Sequence, residues 1–316
     1  MRVLVTGANG FVGRALLRPL AAAGHTPIAA TRGAGPAGVE PRIVGALGPR
    51  TDWSAALAGV DAVVHLAARV HRIGHLAADP PAAYDTENAA GTRRLAEQAA
   101  QAGVRRLVFL STAKVNGEST PPDRPFRDAD PAAPWDAYAR SKWAAEQALA
   151  EVAADTGLEV TVLRPPLVYG PGVRANLRAL LRLCDSPLPL PFGGIDNRRS
   201  LIYLDNLTDA ICHALMHPAA AGGHFLLSDA EALSTPALVR RLRHGLGRPA
   251  RLVSVPPSWL RLAARLPGLG AALDRLTQSL VIDPSGIARA LGWRPRFAAD
   301  LGLARTAQSY RENSSR

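Results

Sequence analysis

The chain has 316 residues, 47% of them apolar, enough for two lobes or for one large domain with an insert. Its net charge of +11 comes almost wholly from arginine, scattered rather than run together with aromatics, which argues against a nucleic-acid partner and suits a phosphate-bearing ligand. Cys184 and Cys212 form neither a disulfide framework nor a metal-ligand spacing, no apolar run is long enough for stable membrane insertion, and no signal-peptide core follows Met1; a cytoplasmic chain with free thiols and no metal is expected.

A first strand is predicted over Arg2–Thr6, followed by a glycine-rich turn and a helix over Val12–Ala22. Glycines between a first strand and a first helix let the backbone approach a pyrophosphate whose charge the helix N-terminus meets. An ordinary turn would use glycines too, but the position favours nucleotide binding by Gly7, Asn9, Gly10, Phe11, Val12 and Gly13. The second strand, Pro27–Thr31, ends on Thr31 and Arg32, where many NAD enzymes carry a carboxylate for the adenosine ribose. A guanidinium there pairs with a 2′-phosphate, so NADP(H) is favoured over NAD, the alternative being an exposed arginine beside bound NAD.

Further strands are predicted at Ala62–Leu66, Arg106–Leu110 and Glu159–Leu163, with helices at Ala83–Ala102 and Ala137–Ala154; Gly24, Gly103 and Gly157 mark helix ends. This alternation implies an α/β doubly wound parallel sheet of the Rossmann kind. The strand ending at Leu110 delivers the hydroxyls of Ser111 and Thr112 to the carboxyl edge, where ligands bind in such sheets; Ser111 is assigned to both cofactor and substrate. Tyr138 and Lys142 stand at i and i+4 on a predicted helix, so both side chains share a face. A nearby ammonium is expected to lower the phenol pKa toward the working pH of a general acid/base.

Beyond Pro165 the pattern breaks into the Pro- and Gly-rich stretches Pro165–Gly172 and Pro187–Gly194, around a helical segment Asn176–Leu183. A strand at Leu201–Leu204 and a helix at Asn206–Met216 return toward the sheet. The expected division is a dinucleotide lobe over 1–165, rejoined at about 200–228, and a smaller, discontinuous C-terminal substrate lobe over 166–199 and 229–316. Pro267, Gly268 and Gly270 interrupt the apolar segment Trp259–Leu280, so packing within that lobe is expected rather than membrane contact.

The motifs VTGANGFVG (5–13), HLAA (65–68), Asn88-Ala-Ala-Gly-Thr92, STAKVNG (111–117), YARSK (138–142), LRPPLVYGPG (163–172) and RRSLIYLDN (198–206) occur in an order that resembles the extended short-chain dehydrogenase/reductases of the nucleotide-sugar epimerase/dehydratase family. The resemblance implies Thr112, Tyr138 and Lys142 as catalytic residues, with Tyr138 and Lys142 also contacting the cofactor and Lys142 holding the nicotinamide ribose. It puts Leu66, Ala67, Ala68, Arg69, Asn88 and Pro165 on the cofactor wall, and Asn176 and Arg199 on the substrate diphosphate. A helix cap for Asn176 and a surface ion pair for Arg199 are the alternatives. The family further suggests a nucleotide-sugar substrate, UDP-linked by preference, and a homodimer. Its 4,6-dehydratases carry an acid pair after the catalytic threonine, where this chain has Ala113 and Lys114, so dehydration is not expected. Lys114 is read as a substrate or cofactor contact or as a solvated loop residue. Reduction of a UDP-4-keto sugar in surface-polysaccharide synthesis is favoured by Thr31-Arg32, with 4-epimerisation as the alternative. A non-catalytic dinucleotide-binding regulator is disfavoured because Thr112, Tyr138 and Lys142 are all present.

Overall fold

The computed structural model describes residues 1–70, 80–121, 123–256, 259 and 270–314. In chain order its elements are β1 (Arg2–Thr6), α1 (Phe11–Ala22), β2 (Thr26–Thr31), β3 (Glu40–Ile43), α2 (Ser54–Leu57), β4 (Ala62–His65), α3 (Pro81–Tyr84), α4 (Gly91–Gln101), β5 (Arg106–Leu110) and α5 (Ala137–Thr156). There follow β6 (Glu159–Arg164), β7 (Leu167–Tyr169), α6 (Ala175–Asp185), β8 (Arg199–Tyr203), α7 (Leu204–Met216), β9 (His224–Leu226), β10 (Ala232–Leu233) and α8 (Thr235–Gly245). The C-terminal part forms α9 (Gly270–Thr277), α10 (Ser285–Leu291) and α11 (Ala299–Ser314).

Seven parallel strands run in the order β3-β2-β1-β4-β5-β6-β9. Because strand side chains alternate between faces, Val3 and Val5 enter one core while Leu4 enters the other. The first core gathers Leu16 and Leu20 of α1 with Leu207 and Ile211 of α7. The second gathers Leu95 and Ala99 of α4 with Leu149 of α5. Helices therefore cover both faces, as an all-parallel sheet requires, and the doubly wound architecture expected from the sequence is present. The strand order reverses between β1 and β4, which opens a crevice at their carboxyl ends, the usual ligand position in open α/β sheets.

A second, three-stranded sheet, β10-β8-β7, lies over a third core containing Tyr169, Leu177, Leu181, Leu201, Tyr203, Leu238 and Leu303. The predicted strand at Leu201–Leu204 belongs to this small sheet, whereas α7 and β9 pack with the large one. Ile287, Leu291 and Trp293, expected in the substrate lobe, pack into the first core beside α7. The three-residue β9 was too short to stand out in the sequence.

The helix expected over Ala83–Ala102 is instead three pieces: α3, a π-helical segment Asp85–Ala90, and α4. At Gly91 a Cβ would come within 2.9 Å of Leu47 Cγ and 3.0 Å of Gly48 N, so the helix rides close over the 47–48 backbone. The π segment widens the turn immediately before that approach and turns Asn88 inward, where it is 1% exposed. Within the apolar stretch Trp259–Leu280, positions 260–269 lie outside the described residues.

Candidate active site

The glycine turn sits at the β1/β4 crevice. Gly7 has φ +67°, and a Cβ on it would stand 2.9 Å from Ala67 N, so only glycine lets the two strand exits approach this closely. A Cβ on Gly13 would stand 2.2 Å from Gly7 O, and Gly10 N donates to that same oxygen at 2.8 Å. Helix α1 starts at Phe11 and Val12 with no side-chain cap, leaving its first amides available to an anion. Asn9 Nδ2 donates to Ala34 O at 3.0 Å, tying the turn to the segment after β2. Thr31 is buried and donates to Gly33 O at 2.6 Å, while Arg32 is exposed. This turn, too tight for a Cβ at Gly7 or Gly13 and followed by helix amides with no side-chain cap, fits a dinucleotide pyrophosphate.

The facing wall starts at β4. Thr6 Oγ1 accepts from Leu66 N and Ala67 N, both at 3.1 Å, and contacts His65 Nδ1 at 2.6 Å. His65 Nε2 meets Thr92 Oγ1 at 2.9 Å. Burial, with a lesser push from Lys142, holds this imidazole at about 3, so it is neutral. Ala68 continues the half-buried wall to Arg69. Asn88 Oδ1 accepts from Arg69 N at 2.8 Å, and its Nδ2 donates to Arg69 O at 3.0 Å and to Ser141 Oγ at 2.9 Å. Ser141 in turn donates to Tyr138 O at 2.8 Å. One polar chain thus runs from the wall after β4 to the helix bearing the tyrosine. Arg69 itself is ion-paired with Glu87 on the π segment.

Helix α5 is fixed at both ends: Asp136 Oδ1 caps Ala139 N at 2.6 Å, and Gly157 closes it in the left-handed conformation at φ +76°. Tyr138 is half-buried, and burial first and the Asp136 carboxylate second push its phenol up to about 12. This reverses the lowering expected from Lys142. That lysine is 2% exposed, with its ammonium 3.8 Å from the centroid of the Phe109 ring. Burial brings it down to about 7, with Glu146 acting the other way. At both groups burial is the largest influence.

Thr112 caps a short turn, Ala113–Val115, accepting from Lys114 N at 3.3 Å. Ala113 N donates to the carbonyl of buried Pro165 at 2.9 Å, which anchors this turn to the exit of β6. Ser111 lies behind the site: it is 4% exposed and its hydroxyl donates to Glu146, a carboxylate locked onto Arg164 at 2.5 Å. The contact to the reacting sugar oxygen expected of Ser111 is therefore not available in this arrangement, and Thr112 is the hydroxyl left for it. The Glu146–Arg164 pair escaped sequence reading because its members lie on different elements, although Glu146 is one turn beyond Lys142.

In the second lobe Arg199 is half-buried on β8, its Nη1 donating to Gln278 O at 3.0 Å. Burial lowers its pKa, Glu118 opposes this, and the like charge of Arg275 adds to it. Two guanidinium groups thus feel each other here, and Arg275 was not recognised in the sequence. Asn176 is exposed on the first turn of α6, next to Ala175, whose φ of +54° is strained for an alanine. No side-chain cap closes α6, so Asn176 is not its cap. Among the described residues no His, Cys, Asp and Glu cluster could hold a metal ion, and no helix is long and apolar enough to cross a membrane.

The model of the NAD dependent epimerase/dehydratase family matches residues 3–227. A UDP-glucose 4-epimerase from Vibrio cholerae is 39% identical over 319 residues, covering 99% of this chain and 97% of that one. A 2-alkyl-3-oxoalkanoate reductase from Stenotrophomonas maltophilia is 31% identical over 265 residues, 79% of this chain and 77% of that one. The solved structure of UDP-N-acetylglucosamine 4-epimerase from Bacillus cereus shares the fold, with a TM-score of 0.79 over 98% of this chain and 99% of that one at 20% identity. The family match over residues 3–227 and the 39% identity across nearly the whole chain make it an enzyme of the extended short-chain dehydrogenase/reductase type that belongs to the NAD dependent epimerase/dehydratase family.

Proposed function

We propose that the protein is a nucleotide-sugar 4-epimerase acting on a UDP-linked hexose or N-acetylhexosamine in the cytoplasm. The observation that carries this is identity of 39% across nearly all of both chains with a UDP-glucose 4-epimerase, combined with retention of Thr112, Tyr138 and Lys142. The dinucleotide cradle is made by Gly7, Asn9, Gly10, Phe11, Val12 and Gly13, with Leu66 to Arg69, Asn88 and Pro165 as its wall, and the bound nicotinamide supplies the hydride chemistry. Tyr138, in its phenolate form, takes the proton from the sugar 4-hydroxyl and later returns one to the same oxygen. The Thr112 hydroxyl orients that oxygen by a hydrogen bond. Lys142 contributes an ammonium whose charge is retained below about pH 7 in the free protein. Arg199, with Arg275 near it, is suited to the diphosphate, since guanidinium groups pair bidentately with phosphate oxygens. Asn176 is proposed to contact the same diphosphate from α6. Residues 166–199 and most of 229–316 would form the substrate lobe.

A second reading, reduction of a UDP-4-keto sugar, is favoured by the end of β2. Thr31 and Arg32 stand where a carboxylate would select NAD, and Arg14 and Arg18 line a cleft of about 1060 Å³ together with Asn9 and Ala34. These cations suit NADP(H), which supports an exchanging reductase.

Denaturing the purified protein and identifying the released nucleotide tests the two readings together with turnover of UDP-glucose and UDP-N-acetylglucosamine. Near-stoichiometric NAD and interconversion of 4-epimers are expected; little bound nucleotide and NADPH oxidation by a UDP-4-keto sugar would select the reductase. Tyr138→Phe should lower kcat by roughly 10²–10⁴-fold while leaving bound cofactor in place. Unchanged turnover in that variant would remove the acid/base assignment from either reading.

A further inference from the structure

Lys114 belongs neither to the glycine cradle nor to the catalytic trio, yet it joins the two segments that must meet for the reaction proposed above. Its Nζ donates to Glu118 Oε1 and to Asp136 Oδ2, both at 2.6 Å. Its backbone N donates to Thr112 Oγ1 at 3.3 Å. Asp136 is the cap of α5 and stands two residues before Tyr138. All three side chains of the bridge are about one-third exposed, so it is shielded from water without being sealed.

We propose that Lys114 is a positioning residue, whose ammonium clamps the turn after Thr112 onto the cap of α5 and offsets the carboxylate charge that this cap places beside Tyr138. The need for an offset comes from the cap itself. An aspartate satisfies the free amides at a helix start better than a neutral apolar residue, but its charge opposes formation of a phenolate nearby. A lysine bound to the other carboxylate oxygen keeps the cap and weakens its field. Glu118 holds the ammonium from the opposite side, and Arg199 acts on Glu118 from the second lobe. Other charged groups on α5 and on the elements packed against it include Lys142, turned toward Phe109, Arg140, the mutually paired Glu146 and Arg164, Arg93, Arg94 and Glu97 on α4, and Asp85 and Glu87 on the π segment, the latter ion-paired with Arg69. Asp136 is the charge whose effect reaches the phenol.

The inference rests on the acid/base role of Tyr138, and two readouts separate its failure from failure of that role. The first is the pH dependence of kcat with the UDP-sugar that the wild type turns over. Lys114→Met should move the ascending limb, on which kcat rises as Tyr138 loses its proton, upward by about half a unit to one unit. Lys114→Arg should stay within a few tenths of the wild type, and Lys114→Met/Asp136→Asn, which keeps an amide cap without its charge, should move the limb back. A limb that stays in place while kcat falls equally at every pH would overturn the electrostatic role and leave a structural contact. The second readout needs no turnover: the small phenolate fraction formed in cofactor-free protein after a rapid jump to about pH 10.5, where Lys114 still keeps most of its charge, taken as the difference from Tyr138→Phe in the same background. That fraction should fall in Lys114→Met and recover in the double variant. If wild-type protein turns over no UDP-sugar, the functional reading fails and the phenolate difference alone decides; equal fractions in wild type and Lys114→Met refute the proposal.

Discussion

The ammonium of Lys142 lies 3.8 Å from the ring centroid of Phe109, so the lysine of the catalytic helix is held against the sheet by an aromatic face. Burial lowers its pKa to about 7, whereas attraction to the ring favours the charged form and works against that fall. Lys114, with two carboxylate partners, is shifted upward instead. The chain holds just these two lysines, so a ¹³C-lysine NMR titration of the cofactor-free protein has two signals to resolve. One should titrate near pH 7 and the other above 10.5. Phe109→Leu should lower the first midpoint by about 0.5–1 unit, the equivalent of a cation–π contact of about 1 kcal/mol. A midpoint unmoved by that change would mean the ring contributes nothing to the charge state.

Gly13 provides a test of the cradle that does not depend on the substrate. An added Cβ would meet Gly7 O at 2.2 Å and Ala8 Cα at 2.7 Å, both backbone atoms with no side chain to swing away. Gly13→Ala should therefore displace the turn, costing about 1–3 kcal/mol of stability as overpacking does, and should weaken dinucleotide binding at least about tenfold. Gly45→Ala, where nothing lies within 4 Å, should change neither. Calorimetric titration with NAD and NADP on both variants measures this, and tight binding by Gly13→Ala would place the pyrophosphate elsewhere.

Much of this architecture was legible because it is local. β1 announces itself as a short continuous apolar run leading into the glycine turn, α5 by its helical apolar spacing, and the Tyr138–Lys142 spacing is set by the helix itself. The supporting contacts were not legible, since they join distant residues: Asn88 reaches Ser141 across 53 positions, and Thr6 reaches His65 across 59. Periodicity could not reveal the π segment either, because α3, Asp85–Ala90 and α4 carry one continuous helical pattern that tertiary approach at Gly91 breaks. The expected fall in the Tyr138 pKa failed for a related reason. Spacing gives a shared face, but burial depth decides which influence dominates, and depth belongs to the fold.

Choice between the two cofactors should turn on Arg32. If the guanidinium pairs with a 2′-phosphate, Arg32→Ala removes a charge-assisted hydrogen bond of about 1.5–3 kcal/mol, or roughly 10–150-fold in NADP(H) affinity, and leaves NAD affinity within about twofold. Arg14→Ala, in the adjoining cleft, should act in the same direction with a smaller effect. Fluorescence titrations with NADPH and NADH measure the ratio directly. Equal losses for both nucleotides would show that Arg32 touches a feature they share, and the preference for NADP(H) would then have no support at β2.

Acid should undo the wall after β4 through His65. Thr6 Oγ1 already accepts from Leu66 N and Ala67 N, so its single hydroxyl proton points to His65 Nδ1, and the imidazole proton sits on Nε2 toward Thr92. Burial first and the charge of Lys142 second hold the folded pKa near 3 against an ordinary 6.5, and a proton on Nδ1 would in addition face the hydroxyl hydrogen of Thr6. Between those values the unfolded chain binds a proton that the folded chain refuses. The stabilising contribution is whole above pH 6.5 and declines as pH falls toward 3, by about 1.4 kcal/mol per pH unit. Urea unfolding across this range should show that slope, and His65→Asn should be less stable at pH 7 but shallower in its acid limb. Removing the nearby cation by Lys142→Met should raise the His65 midpoint, because that charge is the second cause of its depression. An acid limb identical in wild type and His65→Asn would mean that protonation elsewhere governs acid unfolding and that the Thr6–His65–Thr92 chain tolerates a charged ring.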